Sequence, residues 1–512
     1  MINKTFTSKK FIFPAMLAFM ALVGCNPEED MNPSTELSAD ATLLSQGVHP
    51  KSNVKLRNNH YVVLSSSETL PAGIAAELTA ANGEVTSLME QVGVATVYSD
   101  DPAFAAKASK INGVRSVVRD LEVQWYNPDD MKIVELADVG TPPASGDNDR
   151  FFDLQWGHAA IKASQAWNSG QRGNGARVAV LDSGFDLDHP DLLPNIDMAA
   201  SRNFVTGENL GYALAGVGSH GTHTAGTIAA ADNGIGIIGV APEAKLILVK
   251  VLRDSGSGSF SWMINGIIHA TQQNANVINM SLGAAIPRNG RFLNDNGTPE
   301  DPSDDFIEND TKAVQELLIA INRATSYATK NGVTVIASAG NAANDGNADK
   351  SLLHIPSAST GVISISATAP RGWALNPFST FMDDFASYSN YGTSDIQFAA
   401  PGGDYIFAYE PNGLNVVTVG PTSQPAYVFD YVFSTGSNLK PGTASYYWSV
   451  GTSMAGPHAA GVAALIIGKN GGKMDPAHVL AKLRATADDL GKPGRDPYYG
   501  YGRVNALRAV TE

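Results

Sequence analysis

Gly451-Thr-Ser-Met-Ala-Gly-Pro-His458 is the stretch of this 512-residue chain that decides its fold. Its serine, Ser453, opens a helix that we predict over residues 453–468. A helix N-terminus presents free backbone N–H groups, and these favour negative charge that develops on a nearby oxygen. A serine that only caps the helix would explain an isolated Gly-Thr-Ser equally well. The remaining motifs decide between a catalytic and a capping role.

Two further motifs supply the partners that a catalytic serine needs. Asp182 stands in Val180-Leu-Asp-Ser-Gly184, and His220 opens His220-Gly-Thr-His-Thr-Ala-Gly226. A serine hydroxyl is a poor nucleophile at neutral pH until an imidazole accepts its proton, and a buried carboxylate then fixes the imidazole tautomer. Asp182, His220 and Ser453 together therefore predict serine-based hydrolysis.

The chain order aspartate, histidine, serine resembles that of the subtilase family. The resemblance runs from about residue 149 to residue 505. It implies a serine endopeptidase in which Asp182 orients the imidazole, His220 is the general base and Ser453 is the nucleophile. It also implies that His223 packs beside the base, although a His-x-x-His pair on its own is open to a metal-binding interpretation.

Alternating strands and helices predict the fold class α/β, a parallel sheet flanked by helices, and the resemblance implies that this sheet is subtilisin-like. The strands are apolar on both faces, as expected for a parallel sheet that helices cover on both sides. The active site of such a sheet lies at the carboxyl ends of its strands, and Asp182 follows one of them. The predicted strands are residues 177–181, 246–252, 277–280, 333–337 and 362–367, and the predicted helices are residues 220–231, 260–274, 312–330 and 453–468.

Further site residues follow from the same resemblance. Asn341, in Ala337-Ser-Ala-Gly-Asn341, matches the amide that points at the oxyanion, although turns also favour asparagine. An extended substrate is expected to pair with two enzyme edges, and these edges carry no acid or base, so we expect cleavage after large apolar residues. The edge residues are Ser257, Gly258 and Phe260 on one side and Ser281, Leu282 and Gly283 on the other, with Gly340 leaving room beside the nucleophile. An ordinary place in the sheet core would explain each of them as well.

The loop after the histidine helix, Ala231-Asp-Asn-Gly-Ile-Gly-Ile237, resembles the calcium loop of subtilases. Calcium takes about six to eight oxygen ligands, partly from backbone carbonyls, and a glycine-rich loop can present them. The resemblance implies a structural Ca²⁺ site. Its ligands would be Asp149, Asp191, Ala231, Asn233, Ile235 and Ile237. A plain surface turn is the alternative.

Residues 56–126 predict a separate, small α+β domain. Its strand and helix patterns follow one another in the β-α-β-β-α-β order of the ferredoxin-like arrangement. In front of a subtilase domain, such a unit resembles the inhibitory propeptide, which implies a self-inhibited zymogen. An unrelated adaptor domain is the alternative. Residues 127–147 are then a linker that includes the maturation cleavage region, and residues 148–512 are the catalytic domain.

The N-terminus combines lysines, an apolar run over residues 11–23 and the chain's one cysteine, Cys25. A basic start before a short apolar run is typical of a secretory signal and too short for a spanning helix. Leu22-Val-Gly-Cys25 resembles the lipobox of bacterial lipoproteins, which implies a lipidated Cys25 and a membrane anchor; an ordinary signal peptide is the alternative. We expect residues 1–24 to be the signal peptide and residues 25–55 to be a flexible acidic tether. The expected location is extracytoplasmic, in the outer membrane or at the cell surface.

Composition narrows the functional classes. The net charge of −15 argues against nucleic acid or anionic lipid as the main partner, and a hydrophobic content of 43% can supply a large core. We therefore expect an endopeptidase acting on protein or peptide substrates. Its rivals are a catalytically silent peptide-binding lipoprotein on the same fold and an esterase, although Ser453 lacks the Gly-x-Ser-x-Gly elbow of esterases. Residues 287–310, 344–353 and 405–447 exceed a minimal subtilase, and we expect them near the cleft.

Overall fold

The computed structural model describes residue 43 and residues 46–128, 147–296, 298, 301–420 and 422–512. Cys25, the signal peptide, most of the predicted tether and nearly all of the predicted linker lie outside the described residues. The chain forms two compact units, residues 1–46 and residues 47–512, and the second contains the catalytic motifs. None of the helices in the described ranges combines the length and the apolar character that a membrane crossing requires.

The N-terminal part of the second unit is a four-stranded antiparallel sheet with two short helices. Its strands lie in the order β2-β3-β1-β4. In chain order the elements are β1 (Val54–Ser65), α1 (Ile74–Ala80), β2 (Glu84–Met89), β3 (Val94–Tyr98), α2 (Phe104–Ala108) and β4 (Val114–Gln124). The elements thus follow the β-α-β-β-α-β order that the sequence pattern predicts.

The central sheet of the catalytic part is almost entirely parallel. Among the described residues its strands lie in the order β16-β15-β13-β9-β5-β7-β6, with β17 also paired to β15; only the β15–β16 pair is antiparallel. These strands are β5 (Arg177–Asp182), β6 (Arg202–Asn203), β7 (Lys245–Lys250), β9 (Val277–Met280), β13 (Thr334–Ser338), β15 (Val362–Ala369), β16 (Asp384–Phe385) and β17 (Phe398–Pro401). The parallel sheet confirms the predicted fold class, and all five predicted strands belong to it.

Helices cover both faces of the sheet. In chain order they are α3 (Trp156–Ala160), α4 (Ala163–Asn168), α5 (His220–Ala229), α6 (Phe260–Gln272), α7 (Thr311–Lys330), α8 (Thr452–Lys469), α9 (Pro476–Thr486) and α10 (Ala506–Thr511). Alternate residues of β5 point to opposite faces: Val178 and Val180 pack in the core that contains α5 and α8, and Ala179 and Leu181 pack in the core that contains α6 and α7.

The N-terminal sheet shares the second of these cores. Val62 and Leu64 of β1 are completely buried together with residues of α6 and α7, whereas the intervening Val63 packs with α1 and α2. The last strand, β4, also pairs antiparallel with the short strand β8 (Ser257–Ser259) of the catalytic part. The N-terminal sheet therefore continues into one edge of the predicted substrate cleft.

The remaining strands form two-stranded ribbons: β10 (Ala284–Pro287) with β14 (Leu352–Ile355), β11 (Arg291–Asn294) with β12 (Phe306–Asn309), β18 (Val416–Val419) with β19 (Thr422–Pro425), and β20 (Val432–Thr435) with β21 (Tyr446–Ser449). The β11–β12 ribbon belongs to the insertion over residues 287–310. It contacts the N-terminal sheet, because Arg119 donates to Glu308 at 2.7 Å and Phe292 is buried beside Val54 and Leu56. The ribbon thus packs on the N-terminal sheet through Glu308 and Phe292, and the expected place of this insertion near the cleft stays a prediction.

Residues 47–53, which we expected within a flexible tether, lie against the catalytic part. Val48 is buried, and the Lys51 ammonium donates to the carbonyl of Ala342 at 2.6 Å. Asn53 accepts from the backbone N–H of Ala285 and donates to the carbonyl of Gln124, each at 2.9 Å. The tether interpretation is wrong for this stretch because its polar side chains match backbone groups of the folded part.

Candidate active site

Three elements bring Asp182, His220 and Ser453 to one edge of the sheet. Asp182 is the last residue of β5, His220 is the first residue of α5, and Ser453 lies in the first turn of α8. The small residues around them allow this approach. A methyl group on Gly221, for example, would come within 2.9 Å of the ring of Phe185 and of the carbonyl of Ser183.

Asp182 orients the His220 ring. The His220 Nδ1 atom is 2.7 Å from Asp182 Oδ1, and both residues are buried. The carboxylate also accepts from the backbone N–H of Ser183 at 2.7 Å and from the hydroxyl of Thr224 at 3.2 Å. Because a carboxylate accepts hydrogen bonds, Nδ1 carries the proton and Nε2 has the lone pair that a general base requires.

Ser453 shares a cavity with His220 and Asn341. Its hydroxyl donates to the backbone carbonyl of Ser281 at 3.1 Å, in the segment expected to bind substrate. Proton transfer to His220 therefore requires the hydroxyl to leave this bond. The backbone N–H of Ser453 is at a helix start, where it can donate to an oxyanion.

The Asn341 amide is held in one orientation. Its Oδ1 atom accepts from the backbone N–H of Thr452 at 2.9 Å and from the Thr452 hydroxyl at 2.7 Å. The Nδ2 group is consequently the side of the amide that remains to donate into the cavity beside Ser453. This is the geometry expected of a second oxyanion donor.

His223 is not part of the cleft. Its ring is completely buried, and Nε2 lies 3.1 Å from the carbonyl of Val432. Burial lowers the pKa of His223 to about 3, and the neighbouring His220 acts in the same direction. A ring that stays neutral and faces the core packs the site, as the resemblance implied, and no metal-binding pair with His220 forms.

The two expected substrate edges lie on either side of the triad. Ser257 and Gly258 belong to β8, whose partners are Gln124 and Val123 of β4. Phe260 begins α6 and is completely buried, with its ring 6.2 Å from that of Trp125. The opposite edge is lined by Ser281, Leu282, Gly283 and Gly340, which border a cavity of about 190 Å³ next to Ser453.

His354 and Asn390 also line the cavity beside Ser281 and Gly340, and the sequence argument missed both. The Asn390 Oδ1 atom accepts from the N–H groups of Ala342 and Asn344, so its Nδ2 group faces His354 Nδ1 at 3.1 Å. Burial lowers the pKa of His354, so the ring is neutral at neutral pH. His354 stands just beyond the segment that we had treated as an insertion, and only spatial proximity reveals its place.

The N-terminal domain ends in a short tail, residues 125–127, that lies over the general base His220. The ring of Tyr126, two residues after the end of β4, stacks on His220 with centroids 4.7 Å apart and planes inclined by 15°. The backbone N–H of Trp125 donates to the carbonyl of Gly256 at 3.0 Å, which continues the β4–β8 pairing. The sequence analysis did not predict this pairing of residues 122–125 with the β8 edge.

The predicted calcium loop is assembled around two buried carboxylates. Asp149 accepts from the N–H groups of Asn233 and Gly234, and Asp191 accepts from the N–H of Ile237 and the hydroxyl of Tyr446. Burial raises the pKa of Asp149 to about 8 and that of Asp191 to about 7. The Oδ2 atom of Asp149 is buried and receives no hydrogen bond from the described residues.

The nearest carboxylates differ from the predicted ligand set. Asp147, Asp149 and Asp232 each offer an oxygen, and these oxygens lie within 4.8 Å of one another. The Asn233 Oδ1 atom accepts from the N–H of Ile235 at 3.0 Å, and the Ala231 N–H donates to the Asp191 carbonyl at 2.7 Å. The structure thus adds Asp147 and Asp232, which the sequence argument had not included. A cation fits this donor set, because it would offset the charge of three neighbouring carboxylates and give the buried Asp149 Oδ2 atom a partner.

The comparisons agree with this geometry. Residues 173–502 match the Subtilase family of peptidases. This chain is a member of the subtilase family. Subtilisin E from Bacillus subtilis is 34% identical over 357 residues, which are 70% of this chain and 71% of that protein. Thermitase from Thermoactinomyces vulgaris is 30% identical over 365 residues, 71% of this chain and 98% of that protein.

A solved structure extends the similarity in fold to most of the chain. The epidermin leader peptide processing serine protease from Staphylococcus aureus aligns with a TM-score of 0.63 at 21% identity, covering 88% of this chain and 97% of that one. At 21% identity this alignment shows similarity of fold alone. The family match and the relatives at 30% identity or more make this subtilase a subtilisin-like serine endopeptidase.

Proposed function

We propose that this subtilase is a lipid-anchored endopeptidase, made as a zymogen that its own N-terminal domain inhibits. Two contacts carry the proposal that the N-terminal domain inhibits the enzyme. Its last strand, β4, pairs with the β8 edge, and Tyr126, just after β4, stacks on His220. A substrate would have to pair with the same edge. The domain over residues 56–126 therefore acts as an intramolecular competitor.

We assign the catalytic roles from the geometry of the triad. Ser453 attacks the peptide carbonyl while His220 accepts the hydroxyl proton, and Asp182 stabilises the imidazolium that results. The Asn341 amide and the Ser453 backbone N–H then donate to the oxyanion. Losing one such donor slows turnover by about 100- to 1000-fold, a range measured for subtilisin itself.

The insertion over residues 287–310 supports the inhibitory contact from outside the cleft. The Arg119–Glu308 ion pair and the buried Phe292 join this insertion to the N-terminal sheet. Such contacts hold the domain in place even when its tail leaves the active site. Release of the inhibitor then requires these contacts to break, because a cut between residues 127 and 149 leaves them intact.

Self-processing is the direct test of the zymogen proposal. We expect the wild-type chain to be cut between residues 127 and 149 and the Ser453→Ala chain to stay intact in a host without other proteases. A trace of wild-type enzyme should then cut the variant. Normal maturation of Ser453→Ala alone would refute self-processing without touching the assignment of the nucleophile.

A structural Ca²⁺ ion is part of the proposal. The carboxylates of Asp147, Asp149 and Asp232 would hold it, with Asp191 in the predicted ligand set on the same loop. An ion there would offset the charge of buried carboxylates and fix the loop that follows α5. It would act on stability, and no step of peptide hydrolysis depends on it.

The lipid anchor rests on Cys25 and the apolar run before it. Stable anchoring needs more than one acyl chain, because a single chain binds only marginally. We expect Cys25→Ser to release the protein from membranes and to abolish labelling by a fatty-acid analogue. Equal labelling of variant and wild type would refute the anchor, and with it the proposed location in the outer membrane or at the cell surface.

A further inference from the structure

We propose that the insertion over residues 405–447 forms a subsite that selects large apolar or aromatic side chains in the first two residues after the scissile bond. The inference rests on the proposed function, since it concerns the same cleft. It names a second specificity determinant, on the opposite side of Ser453 from the Ser281–Gly283 edge.

The path of the chain's own tail identifies this side of the cleft. Residues 122–124 pair antiparallel with β8, and Tyr126 lies on His220. Asn127 comes next and lines a cavity together with Ser453. A substrate that follows this path, with the residue before its scissile bond in the place of Tyr126, therefore directs the residues after that bond toward this cavity.

The cavity is large, and tyrosine and tryptophan side chains form part of its wall. Its volume is about 510 Å³, enough for more than one side chain. The Tyr427 and Tyr431 rings meet edge to face, with centroids 5.8 Å apart. The walls away from the triad are formed by Tyr427, Val428, Tyr431, Trp448, Val450 and Met454.

The wall is held rigidly. The buried carboxylate of Asp430 accepts from the backbone N–H groups of Gly372 and Trp373 at 2.7 and 2.8 Å. The Ala426 N–H donates to the Asn415 carbonyl at 2.9 Å. After this turn, the β20–β21 ribbon leads directly into the segment of Ser453. A fixed wall favours one class of side chain, whereas a mobile loop would adapt to many.

The chemistry of the lining sets the preference. The described residues of the cavity include no Asp, Glu, Lys or Arg, so a charged side chain would lose water there without gaining a partner. An apolar or aromatic side chain gains by burial and by ring contacts. We expect peptides with a large apolar residue at this position to be favoured over glycine peptides by about tenfold, which is at the low end for an apolar pocket.

The test compares peptides that share one sequence before the scissile bond and differ only after it. Enzyme produced from the full chain is titrated with a serine-directed covalent probe, so that rates refer to active molecules. We expect kcat/KM with Phe or Leu in one of the first two following positions to exceed the Gly peptide by about tenfold and the Asp peptide by more. A profile that does not distinguish these peptides would overturn the inference.

Variants locate the effect. Tyr427→Ala and Tyr431→Ala should each reduce the Phe-to-Gly ratio several-fold, and Tyr427→Phe should preserve it. Tyr409→Ala is the matched control, because Tyr409 belongs to the same insertion, is 81% exposed and does not line the cavity. Unchanged ratios in both alanine variants would contradict the proposal.

A p-nitroanilide substrate, which has no amino acid after the scissile bond, separates this inference from the proposed function. If the enzyme hydrolyses the anilide but cleaves all of the peptides with the same kcat/KM, only the subsite proposal fails. No hydrolysis by the titrated enzyme would sink the proposed function and the subsite together.

Discussion

The ring of Tyr126 lies parallel to the ring of His220, 4.7 Å away, so the N-terminal domain ends on the residue that must accept the proton of Ser453. The preceding strand occupies the edge at Gly258, and Asn53 joins the carbonyl of Gln124 to the opposite edge at Ala285. The tail is therefore held on both sides of the cleft. We therefore expect inhibition to be a property of the folded chain.

Replacing Tyr126 by Ala should make the uncut chain more reactive. An aromatic stack contributes about 0.5–1.5 kcal/mol beyond burial, which corresponds to a few-fold to about tenfold faster labelling by a serine-directed probe. Tyr98→Ala is the control, because Tyr98 is a partly exposed tyrosine of the same domain that lies away from His220. Equal labelling of the two variants would show that the stack contributes nothing to inhibition.

Removal of Ca²⁺ should lower the melting temperature by several degrees, because an ion bound only by the folded chain stabilises it by mass action. The measurement uses the Ser453→Ala background to prevent autolysis. Asp191→Ala and Asp149→Asn should lower the melting temperature and lose their response to chelator, whereas Asp301→Ala, at an exposed position, should respond like the parent. An unchanged melting temperature in excess chelator, with Asp191→Ala also neutral, would remove calcium from the account.

Acid should destabilise the fold through two buried histidines. The His158 and His458 rings lie 5.3 Å apart, and burial lowers the pKa of His458 to about 4 and that of His158 well below its usual range. Between pH 6.5 and about 4 the unfolded chain therefore binds protons that the folded chain does not. The free energy of unfolding therefore has its full value, as far as His158 and His458 are concerned, above pH 6.5. It decreases as the pH falls from 6.5 toward 4.

Unfolding by denaturant at pH 7 and pH 5, again in the Ser453→Ala background, measures this effect. His158→Gln should reduce the difference in unfolding free energy between the two pH values, and the exposed His478→Gln should not. The same pH dependence in both variants would locate the acid sensitivity elsewhere.

Cleavage should occur after large apolar residues. The cavity between Ser281 and Gly340 is lined by no described carboxylate, and Asp349 faces His49 at 3.2 Å instead of entering it. Asp345 caps its own turn by accepting from the N–H of Asn347. A peptide-library profile measures the preference. Dominant cleavage after Arg or Lys would overturn the apolar pocket and point to these aspartates.

The sequence predicted the parallel sheet and the chemistry of the site, because both rest on local patterns. The strand that ends at Asp182 and the helices that begin at His220 and Ser453 follow from apolar runs and from small residues near the catalytic groups. The β-α-β-β-α-β order of the N-terminal domain follows from periodicity in the same way.

Features that depend on spatial neighbours could not be predicted from sequence. Tyr126 meets His220 only because β4 joins β8, and strand partners across some 130 residues leave no local pattern. Asp147 and Asp232 meet near Asp149 for the same reason. The contact of the insertion over residues 287–310 with the N-terminal sheet, through Phe292 and Glu308, likewise leaves no local pattern.

The most direct test of the central claim is covalent labelling of the active-site serine, measured together with peptide hydrolysis. Wild-type enzyme should be labelled at Ser453 in proportion to its loss of activity, and Ser453→Ala should show neither labelling nor hydrolysis while keeping its fold. Labelling at another residue, or hydrolysis that survives in a folded Ser453→Ala protein, would contradict the account.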